Sequence, residues 1–187
     1  MLEVPEDRCE RYRLFQAIDD AFKAGDFTRL GNALGNSARW FDEAMPFEFG
    51  LGHPLEYAIY WSPLRFIGEL IGAGANPNYV DDAGFPALHA ALSTSRSDRH
   101  GMISLLLRAG ADPDQRGFND WTPLHRAVAI RDTEAVRLLL EAGADPRLRT
   151  RIDDCATAQE EAEAAGFDAG ASLLSQALEA RAEHDAG

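Results

Sequence analysis

The residues of this chain whose types could do chemistry are its histidines and a few paired acids. Imidazole changes charge near neutral pH and binds divalent metals, so His53, His89 and His100 with neighbouring carboxylates would suit a metal-dependent hydrolytic enzyme. The pairs Asp81-Asp82 and Asp153-Asp154 would suit a general acid and base, or a cation site. Adjacent residues, however, point their side chains in different directions, and no glycine-punctuated loop of alternating oxygen ligands surrounds either pair. They read as solvated turn acids. The chain has no Gly-x-Ser-x-Gly, phosphate loop, dinucleotide fingerprint or His-Glu-x-x-His. The two cysteines, Cys9 and Cys155, stand in no paired motif. The sequence therefore gives no catalytic residue, no metal ligand set and no cofactor.

The 187 residues are 45% hydrophobic and 26% charged, the balance of one globular domain or one array. Thirty-one acids against 18 bases leave a net charge of −13, which repels the phosphate backbone and argues against nucleic acid as a partner. Apolar runs such as Ala58-Ile59-Tyr60-Trp61 fall far short of the roughly 20 residues of a membrane helix. The acidic opening residues have no apolar run behind them, so no secretory signal is expected. The chain reads as a soluble, cytoplasmic, monomeric protein.

Self-similarity organises it. Gly74-Ala75-Asn76-Pro77, Gly110-Ala111-Asp112-Pro113 and Gly143-Ala144-Asp145-Pro146 are spaced by 36 and then 33 residues. Fourteen residues after the first two glycines stand Leu88 and Leu124, in the similar strings Pro86-Ala87-Leu88-His89-Ala90-Ala91 and Thr122-Pro123-Leu124-His125-Arg126-Ala127. An earlier copy is His53-Pro54-Leu55-Glu56-Tyr57-Ala58. Thr122 is a good N-cap and Pro123 a good first helical residue, because proline has no amide hydrogen to leave unpaired. Leu124, Ala127 and Val128 then form one apolar stripe, and Val136, Leu139 and Leu140 a second, in a helix capped by Asp132 or Thr133 and ended by Gly143. A helix pair cannot bury both stripes alone. Neighbouring copies must stack, and the alanine three residues after each anchor (Ala58, Ala91, Ala127) leaves room for that approach.

Thr122-Pro123-Leu124-His125-x-Ala127, followed by Ala135-Val136-x-x-Leu139-Leu140-x-x-Gly143-Ala144-Asp145, resembles an ankyrin repeat with hardly any departure. Leu55–Asn78 and Leu88–Asp114 are similar at lower fidelity. Ile18–Asp26 resembles part of a first cap, and Thr157–Ala177 a last one, opened by the capping-box spacing of Thr157 and Glu160. Residues 153–187 hold nine acids and one base, the polar outer face an end repeat needs. The resemblance implies an all-α solenoid of about five helix-turn-helix units with β-turn fingers. Its expected organisation is a single array: a cap unit at about 8–38, a loop at 39–51, repeats at about 52–78, 81–114 and 117–146, and a second cap at about 150–182. It also implies a structural task for His125, whose ring bonds Thr122 and nearby backbone. In the earlier copies His53 and Glu56 exchange those places, and Pro86 replaces the threonine before His89.

The departures from the pattern carry the functional expectation. Ser93–His100 runs about three residues longer than its counterpart and should project as a basic-tipped loop. The connection holding Trp40, Phe41, Phe47 and Phe49 adds four aromatics and three acids. Ankyrin arrays bind other proteins on a concave surface of fingers and first helices. Carried onto this chain, those positions are Phe49, Tyr57, Asp82, Ala83, Phe85, Phe118, Asn119, Trp121 and Arg126. Rigid aromatics and arginine anchor interfaces disproportionately, so the composition reads as a protein-binding face. Each ring either meets the partner or packs back on a neighbouring finger. The expected function is a non-catalytic interaction module. The sharper alternative is an acidic immunity or inhibitor protein that neutralises a basic toxin or enzyme, towards which an array of this charge would be steered.

Overall fold

The computed structural model describes residues 5–35, 52–79, 85–152 and 155–185. Among these described residues ten α-helices follow one another: α1 (Arg8–Ala24), α2 (Phe27–Ala33), α3 (Pro54–Trp61), α4 (Leu64–Gly72), α5 (Ala87–Ser93), α6 (Arg99–Arg108), α7 (Pro123–Ala129), α8 (Thr133–Glu141), α9 (Ala158–Ala164) and α10 (Asp168–Asp185). A one-turn 3-10 helix, Phe118–Asp120, precedes α7. Among the described residues there is no β-strand, and a single antiparallel bridge joins Arg149 to Thr157.

Consecutive helices pair as hairpins, and the hairpins stack. Helices α1, α3, α5, α7 and α9 contact one another in series, and α2, α4, α6, α8 and α10 form the second layer. This is the all-α solenoid the repeat predicted. Local chemistry starts several of the helices. Asp7 caps α1, its carboxylate accepting from the amides of Cys9 and Glu10 at 2.9 Å. Asp132, rather than Thr133, caps α8 by accepting from Ala135 N at 3.0 Å. Thr157 and Glu160 satisfy each other's amides at the start of α9. The second helices of two repeats end at Gly110 and Gly143, with φ of +88° and +97°. Nothing lies within 4 Å of where a Cβ would stand at either, so it is the left-handed backbone, not crowding, that asks for glycine.

The stripes merge into one continuous core. Leu55, Leu88 and Leu124 are almost wholly buried, each contributing roughly 2 kcal/mol of apolar transfer. Ala58, Ala91 and Ala127 are fully buried where first helices approach each other. Polar side chains tie the turns of successive units. Asn78 donates through Nδ2 to Gly110 O at 2.8 Å and accepts from Asp112 N at 2.7 Å. Asp114, one repeat later, accepts from Asp145 N at 2.9 Å.

Candidate functional site

The best-defined finger of the array runs from Arg116 to Thr122. Gly117 N donates to Trp121 O at 2.9 Å and Asp120 N to Gly117 O at 3.1 Å, closing the turn. Asn119 and Asp120 both take left-handed backbone, φ 57° and 62°, which short polar side chains tolerate best among non-glycine residues. The Asp120 carboxylate turns inward and is buried. It accepts from Arg116 Nη1 at 2.5 Å, from Arg151 N at 2.7 Å and from Arg151 Nε at 2.9 Å, with a further bond from Arg151 Nη2. Those bonds, Arg151 foremost, hold the Asp120 carboxyl below the usual carboxylate range. Arg116 Nη2 also donates to Arg149 O at 3.0 Å, so this finger is strapped to the next one.

The strapped turn presents its rings outward. Phe118 is 62% exposed, and its ring stacks on that of Phe85 at 6.2 Å between centroids and 12° between planes. Phe85 is itself positioned by Tyr79, whose hydroxyl donates to Phe85 O at 2.8 Å. The two rings thus brace each other and still leave Phe118 open to solvent. With half-buried Trp121 and Arg126 and exposed Asn119, they border a pocket of about 150 Å³ also lined by His89 and Ser93. Five of the residues singled out in the sequence therefore converge at one place: Phe85, Phe118, Asn119, Trp121 and Arg126.

Tyr57 does not join them. Its hydroxyl donates to Asp19 at 2.5 Å, and its ring meets Phe22 edge-on at 5.0 Å, which ties α3 to α1. Burial, and then the Asp19 carboxylate, push its phenol well above the ordinary tyrosine value. Trp40, Phe41, Phe47, Phe49, Asp82 and Ala83 lie outside the described residues.

Each repeat histidine serves a neighbouring turn. His125 Nδ1 meets Thr122 Oγ1 at 2.8 Å, and Nε2 meets Ala156 O at 3.1 Å. A carbonyl only accepts, so Nε2 carries a proton, and Thr122 N points its hydrogen at Nδ1 at 3.4 Å, which makes Nδ1 an acceptor, the ring neutral and Thr122 Oγ1 a donor to it. His89 Nε2 donates in the same way to Gln115 O at 3.0 Å. Burial lowers the pKa of both rings. His53 caps α3, accepting from Leu55 N at 3.3 Å, and stacks on Tyr79 at 3.8 Å. His100 Nε2 pairs with Asp132 on the second layer. Among the described residues, no three His, Cys, Asp or Glu side chains are grouped to hold a metal ion.

The Ser93–His100 segment differs from its expected projecting form. Arg96 folds back to donate to Ser62 O at 2.6 Å, beyond the C-terminal end of α3, and pairs with Asp98 at 2.7 Å. Arg99 and His100 both bind Asp132. A carbonyl left without a helical partner and a capping carboxylate are the acceptors that draw the two arginines back onto the array.

Stacked helical hairpins joined through turns, one of them the outward finger at Arg116–Thr122, define a helical repeat protein. The ankyrin-repeat family model matches residues 55–150 in three copies, and the chain belongs to that family. It is 44% identical over 79 residues to a glycerophosphocholine phosphodiesterase of Schizosaccharomyces pombe, covering 42% of this chain and 7% of that protein. A putative ankyrin repeat-containing protein of Treponema pallidum is 36% identical over 85 residues, 45% of this chain and 28% of its own length. The B-cell lymphoma 3 protein homolog of Mus musculus is 34% identical over 93 residues, 49% of this chain and 21% of its own. The chain thus spans less than a third of each of these relatives. Ankyrin repeats are protein-interaction modules, in general without catalysis of their own. Among the described residues, no helix is long and apolar enough to cross a membrane.

Proposed function

We propose that this chain is a non-catalytic binding module, a single array from about residue 8 to residue 182, that holds another protein on its concave, finger-lined face. The observation that carries the reading is the open aromatic pocket beside the Arg116–Thr122 finger, lined by Phe118 and Trp121 together with His89 of α5 and Arg126 of α7. A ring held rigid before binding loses little entropy when a partner covers it, which is why aromatics dominate interface energetics. The aromatic-acidic stretch at 39–51 is assigned to the same partner as a second grip. The module is taken to act as a cytoplasmic monomer without cofactor, nucleic acid or membrane.

The test begins with capture of the partner from the native source. Phe118→Ala and Trp121→Ala should each weaken its binding by ~2 kcal/mol, roughly thirtyfold, with little change in the melting midpoint. Unchanged affinity in both would refute the assignment. The net charge of −13 favours a second, narrower reading, in which the array neutralises a basic toxin or enzyme. That version requires association to slow markedly between low and moderate ionic strength, and a salt-insensitive rate would eliminate it.

A further inference from the structure

We infer that the finger pocket recognises a partner by one acidic side chain, a glutamate or aspartate flanked by apolar residues, seated against Arg126. The inference rests on this face being the protein-binding surface and adds the chemistry of the partner's anchor. Neighbouring arginines are engaged: Arg116 and Arg151 with Asp120, Arg99 with Asp132, Arg96 with Asp98. Arg126 is the exception at the pocket. Half-buried on α7, its side chain has no hydrogen bond or ion pair among the described residues, although the chain carries 13 more acids than bases. Its Nε is shut off from water without an acceptor, which leaves the outer fork of Nη1 and Nη2 as the part a ligand can reach. A guanidinium is always charged, so an unpaired one in a partly dry pocket favours a carboxylate.

The walls set the rest of the preference. Phe85, Phe118 and Trp121 are apolar and sit beside the cation, so a carboxylate entering between them is bonded where water is partly excluded and the attraction is less screened. A volume of about 150 Å³ admits one side chain rather than a length of backbone. Arg126 stands on α7, which packs between α5 and α9 in the first-helix layer. A partner segment therefore passes the pocket in both directions, which suits a residue within a chain rather than a chain end. A lysine or arginine at the same point would face Arg126 and be repelled, even though the array as a whole attracts cations.

The probe is the peptide acetyl-Ala-Leu-Glu-Leu-Ala-amide, compared with its Gln and Lys versions and with a Gln version ending in a free carboxylate. Each is titrated into the full chain while the Trp121 indole N–H resonance is followed by NMR. The Glu peptide should bind roughly fivefold tighter than the Gln peptide and move the Trp121 signal. Arg126→Gln, checked for folding by circular dichroism, should erase the difference, and Arg126→Lys, which keeps a charge but not the fork, should retain part of it. Equal affinity for the Glu and Gln peptides, an undiminished preference in Arg126→Gln, tighter binding of the free-carboxylate version, or no movement of Trp121 by any peptide would each overturn the inference. Glu and Gln peptides that move Trp121 alike leave the groove standing without its carboxylate preference. Native-partner binding that survives both Phe118→Ala and Trp121→Ala overturns the groove itself.

Discussion

Replacing His125 with alanine tests the mechanical role of the repeat histidine. The ring is 1% exposed and links the start of α7 to the next finger through Thr122 Oγ1 at 2.8 Å and Ala156 O at 3.1 Å. Two such bonds contribute about 1 kcal/mol each, and the hydroxyl and carbonyl left behind cost about 1 kcal/mol more, so His125→Ala should destabilise the array by about 3 kcal/mol. His89→Ala is the internal control. With Pro86 in the threonine place, His89 keeps only the bond to Gln115 O at 3.0 Å, and its loss should cost about 2 kcal/mol. Urea unfolding followed by far-UV circular dichroism gives both values. The same ring predicts a pH dependence. Burial lowers the folded-state pKa of His125, so the unfolded chain binds the proton more readily. Stability is then fully present above the unfolded value of about 6.5 and is lost as pH falls through the lowered folded value, by up to about 1.4 kcal/mol per pH unit. His89 is shifted in the same direction and adds a similar slope, so His125→Ala should roughly halve the wild-type loss above the range where carboxylates titrate. A pH slope identical to wild type, or a smaller loss than His89→Ala at neutral pH, would refute the account of His125 as a neutral bridge between units.

Two further substitutions probe the finger and the end cap. Gly117→Ala would place a Cβ 2.8 Å from Nδ1 of the buried His89 ring, which must shift or break its bond to Gln115 O, and should lower stability by about 1–3 kcal/mol. An unaltered melting midpoint would show that the finger can slide off His89. Thr157→Ala removes half of the reciprocal cap on α9 and should cost about 1 kcal/mol. Hydrogen exchange should then speed up first in the α9 amides, and unchanged protection there would contradict the role given to the cap.

The helices were legible because their signals are local. Thr122-Pro123 starts α7, Asp132 starts α8, and Gly143 follows its end, each acting over three or four residues. The convergence of Phe85, Phe118, Asn119, Trp121 and Arg126 was legible in part, since the repeat sets them at corresponding places. Tyr57 shows where that reasoning stops: the position matched, but Asp19, 38 residues away, claims the hydroxyl. The strap on Asp120 and the placing of Phe85 by Tyr79 have no local signal in the sequence beyond an acid in the finger turn with arginines on either side at Arg116 and Arg151.

Period, anchors, caps and turn glycines are written in the order of residues, because a hairpin forms from neighbours three or four positions apart. Those features determine that hairpins exist and that they must stack. Which cation meets which carboxylate is decided only when one unit lies on the next. Arg151 reaches Asp120 across 31 residues and Arg99 reaches Asp132 across 33, distances of about one repeat that depend on the rotation between units. That rotation follows from how whole apolar stripes pack, and it is the same packing that leaves Arg126 facing the pocket with no acid of its own.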